Sequence, residues 1–219
     1  MSQVRGGTRW KRFAVVMVPS VAATAAIGVG LAQGALAASF AVSGQEFKVR
    51  AGHLEGTGFA QYGGVDMGYT NVAGGETKTA RPVAISTFKN ATINDMCQSV
   101  VTDVPFVGTV TLRLTAGTDP KKPVVAEKLY LDVTDLDGDA TFEDIDIGVA
   151  AKNTAASKGG QGPEIKDKIL ENGFAQQARV AKLDGVEQKA WATTAASFKL
   201  SDLSMRLYTD KGASTHECY

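Results

Sequence analysis

The stretch Val107–Thr115, VGTVTLRLT, is the clearest indication of the fold class, because apolar and polar side chains alternate along it with a period of two. In an extended backbone Val110, Leu112 and Leu114 lie on one side, and the residues between them lie on the other. Alternation of this kind is typical of a half-buried strand, with one face toward a core and one toward water. The stretch therefore predicts a β-strand.

The same alternation recurs on both sides of this stretch. It is found at Phe40–Val42, Phe47–Val49, Val83–Thr87, Leu129–Val133 and Phe198–Leu207, the last with a one-residue shift that a bulge would produce. Glycine-rich signals separate the segments and predict turns at Gly63–Gly64, Gly74–Gly75, Asp137–Asp139 and Asp184–Gly185. The sequence thus predicts a mainly β fold, an antiparallel sheet sandwich or a curved sheet.

One segment has helical rather than strand-like spacing. Pro163 stands at a first-turn position and Asn172–Gly173 is a stop signal. The apolar residues between them recur at helical intervals: Ile165, Ile169 and Leu170. One short helix is predicted here, whereas the alanine-rich stretch Trp191–Ala196 fits either a helix or a strand.

The first 37 residues form an N-terminal hydrophobic segment that differs from the rest. Their basic residues precede the apolar run: Arg5, Arg9, Lys11 and Arg12. Residues 13–36 carry no charge, and Ala35–Leu36–Ala37 has the small-x-small pattern of a signal-peptide cleavage site. We expect residues 1–37 to be a signal peptide cleaved after Ala37 or, because the run is long enough to span a bilayer, a retained membrane anchor.

Both alternatives place residues 38–219, as a single β-rich domain, outside the cytoplasm. The domain is then secreted, or anchored to the outer face of the cytoplasmic membrane with membrane contact through residues 13–36. The whole chain has 23 basic and 23 acidic side chains, so the domain is mildly acidic once the N-terminal cations are set aside. An acidic domain argues against nucleic acid as a partner, because binding phosphates needs a basic face.

The two cysteines, Cys97 and Cys218, fit an exported chain. An even number of cysteines outside the cytoplasm predicts a disulfide, which here would tie the region near residue 219 to the middle of the domain. The alternative is two unrelated buried thiols. A thiol so close to an exposed terminus is rarely buried unless something holds it, which favours the disulfide.

A catalytic set is not recognisable in the sequence. There is no G-x-S-x-G motif, and the candidates for a histidine base are His53 and His216. Ser86 and Lys89 match S-x-x-K, but that motif needs a helix, and in the strand predicted here the two side chains point to opposite sides. We assign no catalytic residue and no cofactor.

Residues 132–146 are rich in carboxylates and allow two interpretations. Clustered carboxylates beside a glycine suit a weak calcium site, but the EF-hand order is not met. The alternative is an acidic, solvated turn between two strands. Two histidines and two cysteines expected to be bridged are too few ligands for zinc, so we assign no metal site.

The glycine-rich run Gly52–Gly64 also has two interpretations. Its glycines are suited to close backbone approach and to turns at strand ends. Alternatively, Phe59 and Tyr62 line an aromatic mouth that admits an apolar ligand. The structural interpretation is the stronger of the two.

Several stretches together resemble a family of exported actinobacterial proteins of about this length without an established function. The stretches that carry the resemblance are Ala37–Gly44, Gly58–Gly63, Met96–Ser99, Gly108–Leu112, Trp191–Ala195 and Glu217–Tyr219. The two cysteines of that family fall on Cys97 and Cys218. Its members are often labelled cholesterol esterase, and the resemblance supplies no catalytic residues.

Two hypotheses of function follow from these features. The first is an exported or surface-attached, non-enzymatic β-protein of the cell envelope that binds lipid, another apolar ligand or an envelope protein. The second is a lipid (sterol) ester hydrolase, as the family label suggests. The hydrolase predicts a serine within hydrogen-bond reach of His53 or His216, with a carboxylate behind the imidazole.

Overall fold

Nine β-strands make up almost all of the regular structure in a computed structural model that describes residues 41–42, 45–72, 75–104, 107–154, 158, 171–210 and 216–219. In chain order they are β1 (Ala41–Val42), β2 (Phe47–Val72), β3 (Gly75–Asn94), β4 (Met96–Val104), β5 (Gly108–Ala116), β6 (Val124–Ala150), β7 (Phe174–Thr194), β8 (Ser197–Lys199) and β9 (Ser204–Asp210). A 3₁₀ turn, Ala151–Asn153, follows β6. The mainly β prediction is confirmed.

The strands form one sheet that closes on itself. Strand β3 pairs with β6, β6 with β7, β7 with β2, and β2 again with β3. All four of these pairings are antiparallel. Of the two arrangements expected, the curved sheet is therefore the one that the chain adopts.

Three strands extend from the closed part as a wing. The first residues of β2 pair with β4, β4 pairs with β5, and β5 pairs with β9, which ends the sheet. Strand β8 pairs with β6, and β1 lies parallel to β2, with Ala41 opposite Met67. The sheet thus has a closed part and an open part.

The strands of the closed part are longer than the sequence suggests. Strands β2 and β6 have 26 and 27 residues, whereas about 5–6 is usual. Gly63–Gly64 and Asp184–Gly185 lie inside β2 and β7, so the turns predicted there are wrong. Gly74–Gly75 does fall between β2 and β3, as predicted.

The glycines inside the strands mark irregularities that let a long strand bend. Gly58 lies in β2 with φ 63°, a conformation that favours glycine, and the β6–β7 register shifts between Asp137 and Asp139. A Cβ at Gly56 would overlap the Phe88 ring, so close packing also requires glycine there. A sheet of four strands can close only if its strands bend strongly, and these positions permit it.

Two apolar clusters lie on opposite faces of the strands. The larger cluster includes Leu54, Phe59, Phe88, Leu129 and Leu183. The smaller cluster includes Tyr62, Val83, Ile85, Ala151 and Ala175, with Tyr130 and Trp191 packed against it. The alternation in β6 shows the division, because Leu129 and Leu131 belong to the first cluster and Tyr130 to the second.

The segment Phe198–Leu207 is two strands rather than one strand with a bulge. Strand β8 pairs with β6, whereas β9 pairs with β5. Between them the chain turns at Ser201–Asp202, where Asp202 has φ 53°. Trp191–Thr194, which fitted either class, continues β7 as a strand.

Some predictions concern residues outside the described ranges. The signal peptide or anchor, residues 1–37, and most of the helix predicted after Pro163 are among them. Within the described ranges, none of the helices is long and apolar enough to cross a membrane.

Candidate functional site

The Cys97–Cys218 disulfide is present, as predicted. The bond joins β4 to the segment 216–219 across 121 residues of sequence. Three further contacts hold this segment: the Cys218 N–H donates to Ser99 Oγ at 3.1 Å, and Lys48 Nζ lies 3.0 Å from the main-chain oxygen of Tyr219 and 3.1 Å from Glu217 Oε2. The segment is therefore fixed to the sheet at more than one point.

Residues 216–218 cover one face of the wing. Ser99 on β4, Thr111 on β5 and Tyr208 on β9 share that face, and Ser99 and Thr111 are buried. The Tyr208 and His216 rings stack with centroids 4.0 Å apart. His216 is thus part of the packing of the chain end, and the polar face of β5 is covered rather than open to water.

His53 lies between carboxylates. Its Nδ1 is 2.6 Å from Asp184 Oδ1, and its Nε2 is 3.8 Å from Glu55 Oε2. Glu55 also forms an ion pair with Lys182, whose Nζ lies 3.9 Å from Glu55 Oε1. In the described part of the chain, the groups that His53 contacts in this way are acidic, and the serine that a hydrolase predicts is not among them.

Ser86 and Lys89 do not form a catalytic pair. Both lie on β3, where Ser86 is buried and accepts a hydrogen bond from Gln61 Nε2 at 2.9 Å, while Lys89 is exposed. The S-x-x-K match is without chemical meaning here, as its position in a strand predicts.

The acidic stretch 132–146 is part of β6 and not a turn between strands, so that prediction is wrong. Its carboxylates pair with cations across the sheet. Glu143 accepts from Arg179 at 2.7 Å and from Lys182 at 3.0 Å, and Asp144 accepts from Lys158. Hydrogen bonds from Lys182 and then Arg179 lower the pKa of Glu143, and the bond from Lys158 lowers that of Asp144.

The calcium interpretation of the acidic stretch gains no support from the described residues. In the described ranges, no three His, Cys, Asp or Glu side chains form a group suited to a metal ion. Successive side chains of a strand point to opposite faces, which separates neighbouring carboxylates. Asp144 and Asp146 do lie near one another, but they share the cation Lys158.

The aromatic residues of the glycine-rich run do not line a mouth. Phe59 and Tyr62 are both buried, and they belong to the two clusters on opposite faces of the sheet. Phe59 instead packs between Phe88 and Phe142, with ring centroids 5.4 and 5.2 Å away. The structural interpretation of Gly52–Gly64 is the correct one.

A small cavity borders the larger cluster. Its volume is about 30 Å³, and apolar side chains that include Val49, Leu54, Met96, Leu131 and Phe198 line it. Pockets that hold a small organic ligand have roughly 300–1,000 Å³. The cavity has room for a water-sized molecule but not for an acyl chain.

A pair of acidic residues, Asp66 and Asp132, faces the smaller cluster. Asp132 on β6 pairs with Ile85 of β3, which pairs with Tyr62 of β2, so the three side chains share a face. Asp66 lies on that face too, and its Oδ2 is buried without a hydrogen-bond partner. The Arg81 guanidinium, opposite Asp66 in the register, stacks on Trp191 at 5.0 Å.

Burial dominates the electrostatics of this pair. It raises the pKa of Asp132 to about 7, with a further contribution from the charge of Asp66, and it also raises the pKa of Asp66. Desolvation and like charge both oppose ionisation of a carboxyl group. This pair is not recognisable in the sequence, because its members lie on different strands that only the closed sheet brings together.

The wing carries an exposed apolar surface, which we call the β9 stripe and define as Leu112, Leu114, Met205 and Leu207. Leu112 pairs with Leu207, and Leu114 with Met205, so all four side chains share one face. Met205 and Leu207 are 62% and 69% exposed, whereas Leu112 and Leu114 are half-buried and Leu114 packs against the larger cluster. Exposed apolar side chains that adjoin one another mark interaction surfaces more often than isolated ones do.

These features define a class of protein: a mainly β domain with a closed sheet, an open wing and a long-range disulfide. The chain belongs to the family of unknown function DUF6230, whose model matches residues 43–219. No curated protein and no solved structure matches the chain.

Proposed function

We propose that residues 38–219 form a non-enzymatic protein of the cell envelope, exported through residues 1–37, that binds lipid or another apolar ligand at the β9 stripe. The β9 stripe carries the proposal, because Met205 and Leu207 leave most of their surface in water at the edge of the sheet. Transfer of that surface to an apolar partner is favourable by about 25 cal/mol per Å².

Two other observations support the proposal. The cavity of about 30 Å³ beside the larger cluster is too small for an acyl chain, which fits a binding site on the exposed surface rather than in that cavity. The Cys97–Cys218 disulfide suits the oxidising conditions outside the cytoplasm.

Lipid extraction from full-length protein, followed by mass spectrometry, tests the proposal. The variant Met205→Ser/Leu207→Ser is compared with the wild type and with Val107→Ser, which removes an exposed valine outside the stripe. We expect about thirtyfold weaker lipid binding by the double variant, because each truncation removes on the order of 1 kcal/mol of apolar contact. Equal lipid on all three proteins, or none on the wild type, contradicts the proposal.

A lipid ester hydrolase is the alternative, and one observation favours it. Asp184 lies 2.6 Å from His53 Nδ1, which matches the carboxylate–imidazole half of a hydrolytic triad. Because Nε2 faces Glu55 at 3.8 Å, the arrangement supports the non-enzymatic function better. Hydrolysis of short- and long-chain acyl esters that His53→Gln abolishes would reverse this choice.

A further inference from the structure

A second exposed apolar surface lies in the closed part of the sheet, which we call the β1 end. We define it by Val65 and Met67 on β2, Pro82 on β3, Ile147 on β6 and Phe174 on β7. Each of these five side chains is exposed.

The pairing register places these residues on one face. Val65 pairs with Pro82, and Met67 lies two residues further along β2. Ala175 pairs with Tyr62, so Phe174 points away from Tyr62 and toward the side of Val65. Ile147 pairs with Gln176, which is two residues from Phe174 and therefore shares its face.

Between Gly63 and Met67 of β2 and between Ala80 and Ala84 of β3, this face has no charged residue. Gly63, Ala80 and Ala84 complete it, and there is open space above Gly63. The charged residues of the same region, Asp66 and Arg81, are on the opposite face. A stretch without charge that is flanked by exposed apolar side chains suits contact with a lipid surface.

The position of β1 indicates which lipid surface this is. Ala41 pairs with Met67 along the edge of β2 that β7 leaves unpaired beyond Tyr62. The uncharged run 13–36 ends five residues before Ala41, and five residues of extended chain span at most about 18 Å. In the retained-anchor alternative, the chain therefore enters the domain beside the exposed apolar residues, at most five residues after the segment expected to lie in the membrane.

We propose that the β1 end is a membrane-contact face, which lies against the bilayer from which the chain emerges. The inference rests on the extracytoplasmic placement in the proposed function and on the alternative in which residues 1–37 are retained as an anchor, but not on ligand binding at the β9 stripe. The two surfaces are separate: β9 belongs to the wing, and the β1 end belongs to the closed part.

Quenching by brominated lipids tests the proposal in the full chain reconstituted into vesicles of brominated phosphatidylglycerol and phosphatidylcholine. Val65→Trp reports on the β1 end, and Val125→Trp is its matched control. The two valines are 48% and 39% exposed. Val125 pairs with Thr92, and Val65 with Pro82, so ten residues of β3, roughly 33 Å of extended strand, separate the two positions.

We expect bromine to reduce the added emission of Val65→Trp at least by half and to leave that of Val125→Trp unchanged, after the wild-type signal of Trp10 and Trp191 is subtracted. Equal quenching of both variants, or quenching of neither, overturns the proposal. A change in Val65→Trp emission that follows protein concentration rather than bromine also overturns it, because the face then meets a second copy of the chain.

The lipid content of the Met205→Ser/Leu207→Ser variant separates this result from the proposed function. That variant retains the β1 end, so its Val65→Trp derivative is quenched by bromolipid even where its bound lipid is lost. If the proposed function alone fails, the quenching remains. If the membrane-contact face alone fails, the bound lipid remains.

Discussion

The Cα atoms of Cys97 and Cys218 lie 5.8 Å apart, although 121 residues of sequence separate them. The disulfide holds the last residues of the chain against β4, where they cover Ser99 and stack on Tyr208. It therefore joins the end of the chain to the wing that carries the β9 stripe.

Removal of the disulfide is expected to destabilise the domain strongly. In the chain-entropy account, a cross-link across a loop of this length contributes on the order of 5 kcal/mol. The variant Cys97→Ala/Cys218→Ala should lose about that much free energy of unfolding, as measured in urea. Reductant should lower the midpoint of the wild type and leave that of the double variant unchanged; an unchanged wild-type midpoint contradicts the role of the bond.

Asp132 gives the stability of the domain a pH dependence of known sign. Its pKa is about 7 in the folded protein, against an ordinary value of 3.8. The stability that the protonated Asp132 carboxyl contributes is therefore fully present below about pH 4 and is lost as the pH rises through 7. We expect the free energy of unfolding to fall between pH 4 and pH 7.

The variant Asp132→Asn tests this assignment because it removes the charge and keeps the shape. At pH 8 its free energy of unfolding should exceed that of the wild type by on the order of 2 kcal/mol. The fall in the free energy of unfolding between pH 4 and pH 7 should also be smaller than in the wild type. Asp135→Asn is the control on the same strand, since Asp135 is exposed and lies 3.1 Å from Lys189. A stabilisation shared by both variants would point to net charge rather than to the buried pair.

Glycine substitutions in β2 distinguish close packing from open space. A Cβ at Gly56 would overlap the Phe88 ring, whereas nothing lies within 4 Å of one at Gly63. Gly56→Ala should cost about 1–3 kcal/mol of unfolding free energy, because the core has to shift. Gly63→Ala should be neutral or slightly stabilising, because alanine restricts the unfolded chain; similar losses at both positions would contradict the packing around Phe88.

The β class of the fold and the disulfide could be predicted because both depend on local information. Alternation in Val107–Thr115 reports which side chains share a face, whatever the partner strand is. Two cysteines allow one pairing only. Both features can therefore be predicted without knowing which strands are neighbours.

The closed sheet and its surfaces could not be predicted, because they depend on pairing between distant strands. Glycine has the same signature in a turn as in a bend of a long strand, so Gly63–Gly64 and Asp184–Gly185 predicted the wrong local structure. Asp66 and Asp132 come together only through the register of β2, β3 and β6. The exposure of Leu207 depends in turn on β9 being the last strand of the sheet.

Leucines inside and outside the core should respond differently to substitution. Leu129 is fully buried in the larger cluster, whereas Leu207 in the β9 stripe is 69% exposed. Leu129→Ala should cost about 2–5 kcal/mol of unfolding free energy, because it leaves a cavity among packed side chains. Leu207→Ser should change the free energy of unfolding by less than about 0.5 kcal/mol, as substitutions at exposed positions usually do. It should also reduce the amount of bound lipid.

Urea unfolding of both variants measures the first difference, and lipid extraction measures the second. A large loss of stability in Leu207→Ser would mean that the stripe belongs to the core and owes its apolar character to folding. Unchanged stability together with reduced lipid would mean that Leu207 serves binding. The comparison matters because an apolar residue at the edge of a sheet also invites aggregation, and selection for folding alone gives no reason to keep it there.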